Sequence, residues 1–336
     1  MRAIVQDSYG SADVLELREV ERPAESEPGA AEDRILVRVR AAGVNMADWH
    51  LMAGLPKLVR VAGVGFGAPK QPIRGSDVAG VVEEVGAAVT RFRPGDEVFG
   101  SAIGTFAEFA LSRESRLVPK PANVSFEQAA AVSMAGYTAL QAVRDKAQVE
   151  PGQRVLVIGA AGGVGSFAVQ LAKHFGAHVT GVCSTSKTEL VRSLGADAVI
   201  DYTREPLSVD KTRGTFDVII DTAGNRSLRM LRRLLTPRGT LVIVGAEGSG
   251  RVLGPLTRTL RAAIVSPFVS QRLIGLMAAE KHDDLVTLAE LLASGAITPA
   301  IDRVFPLAET PDAIRHLEAG RAAGKVVVAV TAPRGA

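Results

Sequence analysis

The sequence predicts an α/β protein with two domains, a β-rich domain followed by a doubly wound parallel sheet. Its 336 residues are enough for two domains, and 47% of them are apolar, which allows a sizeable core. Short runs of β-branched residues separated by glycines fill the first 120 positions or so. After position 150, strand-like and helix-like segments alternate, as they do in a parallel sheet covered by helices.

The β-rich part is expected to form a small barrel or sandwich. In its first clear strand, 35–41, Val37 and Val39 face one way, while Arg38 and Arg40 face the other. Further strands are predicted over 78–86, 96–100 and 106–111. The turn-like spacing of the glycines between them is typical of short strands in a barrel or sandwich.

A domain boundary is predicted at Pro119 and Pro121. Ser125 and Gln128 then form a capping box, which indicates that a helix begins there. We expect Gly136 to interrupt this helix and 137–146 to continue it. The predicted domains are 1–121, with 299–336 returning to it, and 122–298.

The stretch 154–176 predicts a dinucleotide site. The apolar run 155–158 has the composition of a buried parallel strand, glycines crowd the turn after it, and Ser166 begins a helix-forming segment. Gly162 lets a backbone approach a pyrophosphate, and Gly165 lets the helix and strand pack closely. The helix N-terminus then offers free N–H groups to phosphates. Ala160 departs from the G-x-G-x-x-G pattern, because it stands where the first glycine is expected.

The rest of the second domain reads as repeated βα units. Strands are predicted over 178–183, 197–202, 217–221 and 239–245, and helices over 187–194, 228–235 and 283–292. The segment 246–275 is a candidate lid or subunit contact. A strand at 325–330 is expected to return to the first domain.

Composition limits the kinds of function and cellular location that the protein can have. The net charge of +3 comes from scattered basic residues, so we expect no nucleic-acid partner; the arginines at 229, 232 and 233 are read as one solvated helix face. The single cysteine, Cys183, excludes an intrachain disulfide framework and fits a reducing cytoplasm. The N-terminus lacks the pattern of a signal or transit peptide, and no apolar run is long enough for a membrane span. We therefore expect a cytoplasmic protein without a membrane partner.

Eight stretches carry a family resemblance in their order and spacing. They are AAGVNMADWHLMAG at 41–54, GSDVAGVVEEVG at 75–86, RPGDEVFG at 93–100, GTFAEF at 104–109, GYTALQAV at 136–143, GAAGGVGSFAVQLAK at 159–173, GADAVIDY at 195–202 and GKVVVAV at 324–330. The chain resembles the medium-chain dehydrogenase/reductase superfamily over nearly its whole length. It is most similar to the zinc-independent quinone oxidoreductase branch, including reticulon-4-interacting-protein-like and zeta-crystallin-like members. The resemblance implies a GroES-like β-barrel catalytic domain plus a Rossmann doubly wound parallel sheet.

No metal is predicted. The zinc-dependent relatives carry a cysteine near position 45 and a His-Glu pair near 76 and 77, whereas this chain has Asn45, Ser76 and Asp77. Neutral amides and hydroxyls are poor zinc ligands. Without zinc, alcohol dehydrogenation is disfavoured, and hydride transfer to an electrophilic quinone or enone is expected.

Four residues are candidates for catalysis. Asn45 and Asp48 match the family's N-x-x-D pair near the nicotinamide and substrate; the alternatives are a turn residue for Asn45 and a structural role for Asp48. His50 is a candidate proton donor, or a half-exposed loop histidine. Tyr137 is a weaker candidate donor, or a core residue with a satisfied hydroxyl.

The predicted cofactor is NADPH. The second strand of the second domain ends without an acid to bind a ribose 2′-hydroxyl, and Ser184 and Lys187 instead suit a 2′-phosphate. The alternative is a structural role for this segment, with Ser186 as the N-cap of a helix and Lys187 as a solvated residue of its first turn. The resemblance adds Tyr202 beside that phosphate. It also assigns other positions lining the cofactor, namely Thr138, Ala161, Gly162, Gly163, Val164, Gly165, Gly245, Ala246 and Lys325.

The leading hypothesis is an NADPH-dependent quinone reductase. The alternatives are an enone, alkenal or enoyl-thioester reductase, and, in another class, a non-catalytic NADPH-binding interaction protein. The resemblance implies a homodimer joined through edge strands of the parallel sheet, with 239–245 and 262–270 as the nearby segments.

Overall fold

The computed structural model describes residues 1–23, 32–57, 60, 65–205, 207, 215–245 and 256–330. The chain forms two compact units, Met1–Tyr137 with Glu280–Ala336, and Thr138–Ala279. We call them unit 1 and unit 2. Within the described ranges, no helix combines the length and the apolar character needed to cross a membrane.

The secondary structure alternates between strand-rich and helix-rich stretches. The strands are β1 (Arg2–Val5), β2 (Glu16–Glu19), β3 (Arg34–Val44), β4 (Asp77–Val85), β5 (Glu97–Ser101), β6 (Phe109–Arg113), β7 (Leu117–Pro119), β8 (Arg154–Ile158), β9 (His178–Cys183), β10 (Ala198–Asp201), β11 (Phe216–Asp221), β12 (Leu235–Ile243), β13 (Arg272–Gly275), β14 (Ile301–Pro306) and β15 (Lys325–Ala329). The helices are α1 (Met46–Ala53), α2 (Phe126–Ala130), α3 (Ser133–Leu140), α4 (Gly163–His174), α5 (Thr188–Ser193), α6 (Leu228–Leu234), α7 (Leu256–Val265), α8 (His282–Ala293) and α9 (Thr310–Glu318).

Unit 1 is built on the long strand β3. Its sheet has the order β14-β15-β3-β4-β5-β7, and β6 also pairs with β3. On one edge, β3 pairs with β6 through Arg34–Arg38 and then with β15 through Ala41–Val44. The predicted return of the C-terminal strand to the first domain is therefore confirmed. Because Val44 pairs with Val326, the residues next to them, Asn45 and Lys325, are brought together.

The capping box predicted before α2 is confirmed. Gln128 N donates to Ser125 Oγ at 3.2 Å, and Ser125 N donates to Gln128 Oε1 at 2.9 Å. The predicted interruption at Gly136 is wrong, because α3 runs through it and a π-helical turn, Gln141–Ala147, continues the helix. A Cβ at Gly136 would lie 3.1 Å from a methyl of Leu288 on α8, so the glycine serves close helix packing.

Unit 2 holds a six-stranded parallel sheet of order β10-β9-β8-β11-β12-β13. The predicted doubly wound sheet is confirmed. The strand order reverses between β8 and β11, and ligands of such sheets bind outside the carboxyl ends of the strands at this switch point. Its core is apolar and includes Leu156, Ile219 and Leu241. Of the segment 246–275, the structure describes 256 onward, where α7 leads to an edge strand, β13, that the sequence did not indicate.

The compact units differ from the predicted domains in two segments. Residues 122–137 and 280–298 pack with unit 1, where Asn123 Nδ2 donates to the carbonyl of Leu292 at 2.9 Å. The predicted domain limits stay a prediction, since packing alone does not decide which ligand a segment serves.

Candidate functional site

The first candidate site is a buried charge cluster in unit 1, formed by Asn45, Asp48, Arg74, Asp77 and Lys325. Lys325 Nζ donates to Asn45 Oδ1 and, at 3.4 Å, to the carbonyl of Val44. The same nitrogen lies 3.6 Å from Asp77 Oδ2, which accepts from Asn45 Nδ2 at 3.0 Å. Both sides of the Asn45 amide are therefore engaged, and its orientation is fixed.

Asp48 lies in the first turn of α1 and is 3% exposed. Its Oδ2 accepts from the backbone N–H of Asn45 at 2.8 Å, which closes the start of the helix. Burial, followed by the nearby charge of Asp77, raises the pKa of Asp48 to about 7, although Lys325 and Arg74 oppose the rise. This carboxyl group therefore titrates near neutral pH.

Asp77 and Lys325 each moderate the pKa shift of the other within the cluster. Burial raises the pKa of Asp77, and the attraction of Lys325 opposes that rise. Burial lowers the pKa of Lys325, and the attraction of Asp77 and Asp48 opposes that fall. The cofactor-lining role predicted for Lys325 stays a prediction; the structure places its ammonium inside this cluster.

Arg74 belongs to this cluster and was not singled out from the sequence. It is 6% exposed, and its Nε donates to Gln6 Oε1 at 2.8 Å. Gln6 Nε2 donates in turn to the carbonyl of Met52 at 3.2 Å, so Arg74 is tied to the end of α1. Its Nη2 is buried and has no hydrogen-bond partner among the described residues. Only the fold reveals this burial, because an arginine before a glycine carries no such signal.

The two predicted proton donors, His50 and Tyr137, are both held in neutral forms. His50 Nδ1 lies 3.0 Å from the carbonyl of Leu55, and since a carbonyl only accepts, this nitrogen carries the proton. Burial lowers the pKa of His50, so its Nε2 bears no proton at neutral pH. Burial, with the charges of Asp77 and Glu280, raises the pKa of Tyr137. Their catalytic roles stay predictions.

The residues of the cluster do not fit a zinc ion. Asn45 and Ser76 supply neither thiolate nor imidazole, and the Asp77 carboxylate already faces the Lys325 ammonium. No group of three His, Cys, Asp or Glu side chains able to hold a metal occurs in the described part of the chain.

The second candidate site is the glycine turn of unit 2, between β8 and α4. Gly162 is the N-cap of α4, and Gly163, Val164 and Gly165 form its first turn, after the buried Ala161. A Cβ at Gly165 would lie 2.0 Å from the carbonyl oxygen of Gly159, so no larger residue fits there.

A Cβ at Gly162, by contrast, would approach that oxygen at 3.3 Å and no other atom of the described residues as closely. This turn is therefore an open cradle beside a helix N-terminus, and it fits a pyrophosphate group.

The ends of β9 and β10 lie beside this cradle. Ser184 precedes a 3₁₀ turn, Thr185–Lys187, and Tyr202 N donates to the carbonyl of Cys183 at 3.1 Å. Tyr202 is 47% exposed. Thr185 Oγ1 donates to Asp201 Oδ2 at 2.5 Å, so the carboxylate nearest this edge is already hydrogen-bonded.

The structure describes two further residues that are predicted to line the cofactor. Thr138 is half-buried in α3, and Gly245 N donates to the carbonyl of Asp221 at 3.1 Å. A Cβ at Gly245 would lie 1.9 Å from the carbonyl oxygen of Thr222, so a glycine is needed at the end of β12. Ala246 lies outside the described residues.

The sequence predicts no buried contacts for three charged residues of unit 2, Asp221, Arg226 and Arg258. Asp221, at the end of β11, is fully buried and pairs with Arg258 Nη2 at 2.5 Å. Arg258 Nη2 also donates to the carbonyl of Arg226 at 2.8 Å. No local pattern could predict these contacts, since they join a strand end to a helix more than 30 residues away.

A parallel sheet with a glycine cradle at its switch point defines a dinucleotide-binding protein. Residues 31–122 match the family model for the alcohol dehydrogenase GroES-like domain, and 194–328 match that for zinc-binding dehydrogenase. A 2-methylene-furan-3-one reductase of Solanum lycopersicum is 34% identical, over 98% of this chain and 79% of its own. The mitochondrial NAD(P)H oxidoreductase RTN4IP1 of Mus musculus is 34% identical, over 98% and 89%.

Among solved structures, the quinone oxidoreductase from Coxiella burnetii superposes with a TM-score of 0.84 at 29% identity, covering 98% of this chain and 99% of its own. The chain belongs to the medium-chain dehydrogenase/reductase superfamily, in its zinc-independent quinone oxidoreductase branch. It is an oxidoreductase of a family that uses nicotinamide cofactors.

Proposed function

We propose that this protein transfers hydride from NADPH to a quinone. The observation that carries the proposal is the buried charge cluster, in which Asn45 and Asp77 stand near the positions where zinc-dependent relatives need metal ligands and are held by Lys325. A site without a Lewis acid suits an acceptor that is already electrophilic. The relatives support the class, since one is named a quinone oxidoreductase and another an NAD(P)H oxidoreductase.

NADPH is proposed rather than NADH on the residues at the ends of β9 and β10. Ser184, Lys187 and Tyr202 provide hydroxyls and a positive charge, which suit a phosphate ester. The glycine cradle from Gly162 to Gly165 would hold the pyrophosphate, with Thr138, Ala161, Gly245 and Ala246 as the other proposed contacts. When bound, the nicotinamide supplies the hydride.

In unit 1, the proposed task of Asn45 is to present a fixed amide, because both ends of that amide are held by charged partners. The reduced acceptor also needs a proton. Asp48 is the proposed proton source within the cluster, since its pKa of about 7 keeps half of it protonated near neutral pH. His50 and Tyr137 stay as the alternative donors. A donor role for Asp48 predicts that kcat falls above about pH 7 and that Asp48→Asn removes this limb of the profile.

An enone or alkenal acceptor is the second candidate. A relative named 2-methylene-furan-3-one reductase supports it, because that name describes an α,β-unsaturated ketone. Hydride delivery to a β-carbon needs the same fixed donor geometry as delivery to a quinone, so the residues above serve either acceptor.

The test is NADPH oxidation by the purified, EDTA-treated protein, with quinones, α,β-unsaturated ketones and enoyl-thioesters offered in parallel. Higher kcat/KM with quinones supports the proposal, and a strong preference for enones promotes the second candidate. Tight NADPH binding without turnover of any acceptor would refute both and leave a non-catalytic NADPH-binding protein.

We also propose a homodimer formed through the edge of the parallel sheet. Strand β13 pairs with β12 on one side only in the described residues, and Ile264 and Phe268 beside it are 67% and 84% exposed. Light scattering of the wild type and of Phe268→Asp tests this state, with a monomer as the expected mass of the variant. The cytoplasmic location stays a proposal that rests on Cys183, and fluorescent tagging in cells checks it.

A further inference from the structure

Arg226 lies across the carboxyl edge of the parallel sheet. It follows β11, and its guanidinium carbon lies 5.9 Å from the centre of the Tyr202 ring, which follows β10. In the order β10-β9-β8-β11, the ends of two strands separate these residues. Arg226 therefore reaches over the ends of β8 and β9, where the glycine cradle and the Ser184–Lys187 segment begin.

Buried contacts hold the Arg226 backbone in place. Arg258 Nη2 donates to the carbonyl of Arg226 at 2.8 Å and pairs with Asp221 Oδ2 at 2.5 Å. Asp221 is fully buried, and its Oδ1 accepts from Gly224 N at 2.9 Å. These contacts tie the loop that carries Arg226 to the end of β11, so the backbone from which its side chain extends is preorganised.

The guanidinium group of Arg226 retains an unused donor. Its Nε is buried and has no hydrogen-bond partner among the described residues. A buried donor of a charged group is costly unless a ligand or water satisfies it. The nearby carboxylate of Asp201 already accepts from Thr185 and Thr203, so it does not serve this purpose. An anionic oxygen beside Tyr202 would satisfy the donor.

We propose that Arg226 is a specificity-determining residue that pairs with the adenosine 2′-phosphate of NADPH against the Tyr202 ring, an inference that rests on the proposed NADPH dependence. Arginine suits this task because its planar fork pairs two donors with phosphate oxygens while its face stacks on an aromatic ring. NADH offers a neutral hydroxyl at that position and gains little from the same group.

The test is calorimetric binding of 2′,5′-ADP and 5′-AMP to the wild type, Arg226→Ala, Arg226→Gln and Arg229→Ala. Arg229 is the matched control, because it is an exposed arginine three residues further along, on α6. Loss of one charge-assisted contact predicts that Arg226→Ala binds 2′,5′-ADP ~10-fold or more weakly, while 5′-AMP affinity changes less than about 2-fold. Arg229→Ala should bind both as the wild type does.

The outcomes separate the inference from the function on which it rests. A wild type that binds both nucleotides equally would overturn the NADPH preference and the inference together. If the wild type binds 2′,5′-ADP more tightly than 5′-AMP and both Arg226 variants keep this preference, the inference alone is overturned. Equal weakening for the two nucleotides would also refute it, since Arg226 would then act on the adenine or on the fold. Arg226→Gln, which keeps a polar side chain but removes the charge, guards against loss of folding, and circular dichroism verifies both variants.

Discussion

Replacing Asp48 by Asn tests the electrostatics of the buried charge cluster. The pKa of Asp48 rises from its ordinary 3.8 to about 7 in the folded protein, because burial outweighs the attraction of Lys325 and Arg74. This rise in pKa corresponds to a free-energy cost of about 4 kcal/mol for the ionised carboxylate in the folded protein, at about 1.4 kcal/mol per pH unit. Ionised Asp48 therefore destabilises the fold, and its neutral analogue should relieve that cost.

The sign of the pH dependence follows from linkage. Below about pH 4, Asp48 is protonated in both states, and Asp48→Asn should have nearly the unfolding free energy of the wild type. Between pH 4 and 7 the unfolded wild type ionises first, so the wild type loses stability relative to the variant. Above pH 7 the variant should be more stable by up to about 4 kcal/mol. The Asn amide oxygen can still accept from the Asn45 N–H, so the start of α1 is kept.

Urea unfolding followed by circular dichroism, repeated from pH 4 to pH 9, measures this difference. Asp283→Asn is the control, because it makes the same substitution at an exposed aspartate in the first turn of α8. If Asp48→Asn is less stable than the wild type at pH 8, the attraction of Lys325 and Arg74 outweighs burial and the reasoning is refuted.

Three further predictions concern the cofactor and the metal. Lys187→Ala should raise the KM for NADPH several-fold or more with little change for NADH, and steady-state kinetics with both cofactors would expose equal effects as a failure of the phosphate assignment. Gly165→Ala should lower the melting temperature measured by calorimetry, because its Cβ would lie 2.0 Å from the Gly159 carbonyl oxygen. Gly162→Ala should melt close to the wild type but bind NADPH more weakly, and equal melting temperatures for the two variants would contradict this reasoning. Dialysis against EDTA should leave turnover unchanged, since the cluster lacks zinc donors; loss of activity restored by zinc would disprove it.

The fold was largely predictable because its signals are local. The capping box of Ser125 and the strand-turn-helix pattern around Gly162 each lie within a few neighbouring residues, and the structure has both. The interruption predicted at Gly136 is wrong because a glycine that allows close helix packing is indistinguishable, in sequence, from one that ends a helix. The side chain that it packs against, Leu288, is distant along the chain.

The candidate sites were predictable only in part, for the same reason. Asn45 and Asp48 stand in one motif, but Lys325 is 280 residues from Asn45 and meets it only through the pairing of β3 with β15. Arg74 and Arg226 belong to no motif. Their importance rests on burial and on unsatisfied donors, which depend on how distant segments pack.

The buried carboxylate of Asp77 is paired with a lysine ammonium, and this limits the chemistry of the cluster. Lys325 offsets the charge of Asp77 and holds the amide of Asn45. An ammonium group donates hydrogen bonds, but unlike zinc it offers no open coordination position for an alcohol oxygen, so it lowers the pKa of an alcohol far less. Oxidation of alcohols therefore loses its usual assistance. Reduction of a quinone or enone needs only hydride, a proton and a fixed amide, and these are the capabilities that the cluster retains.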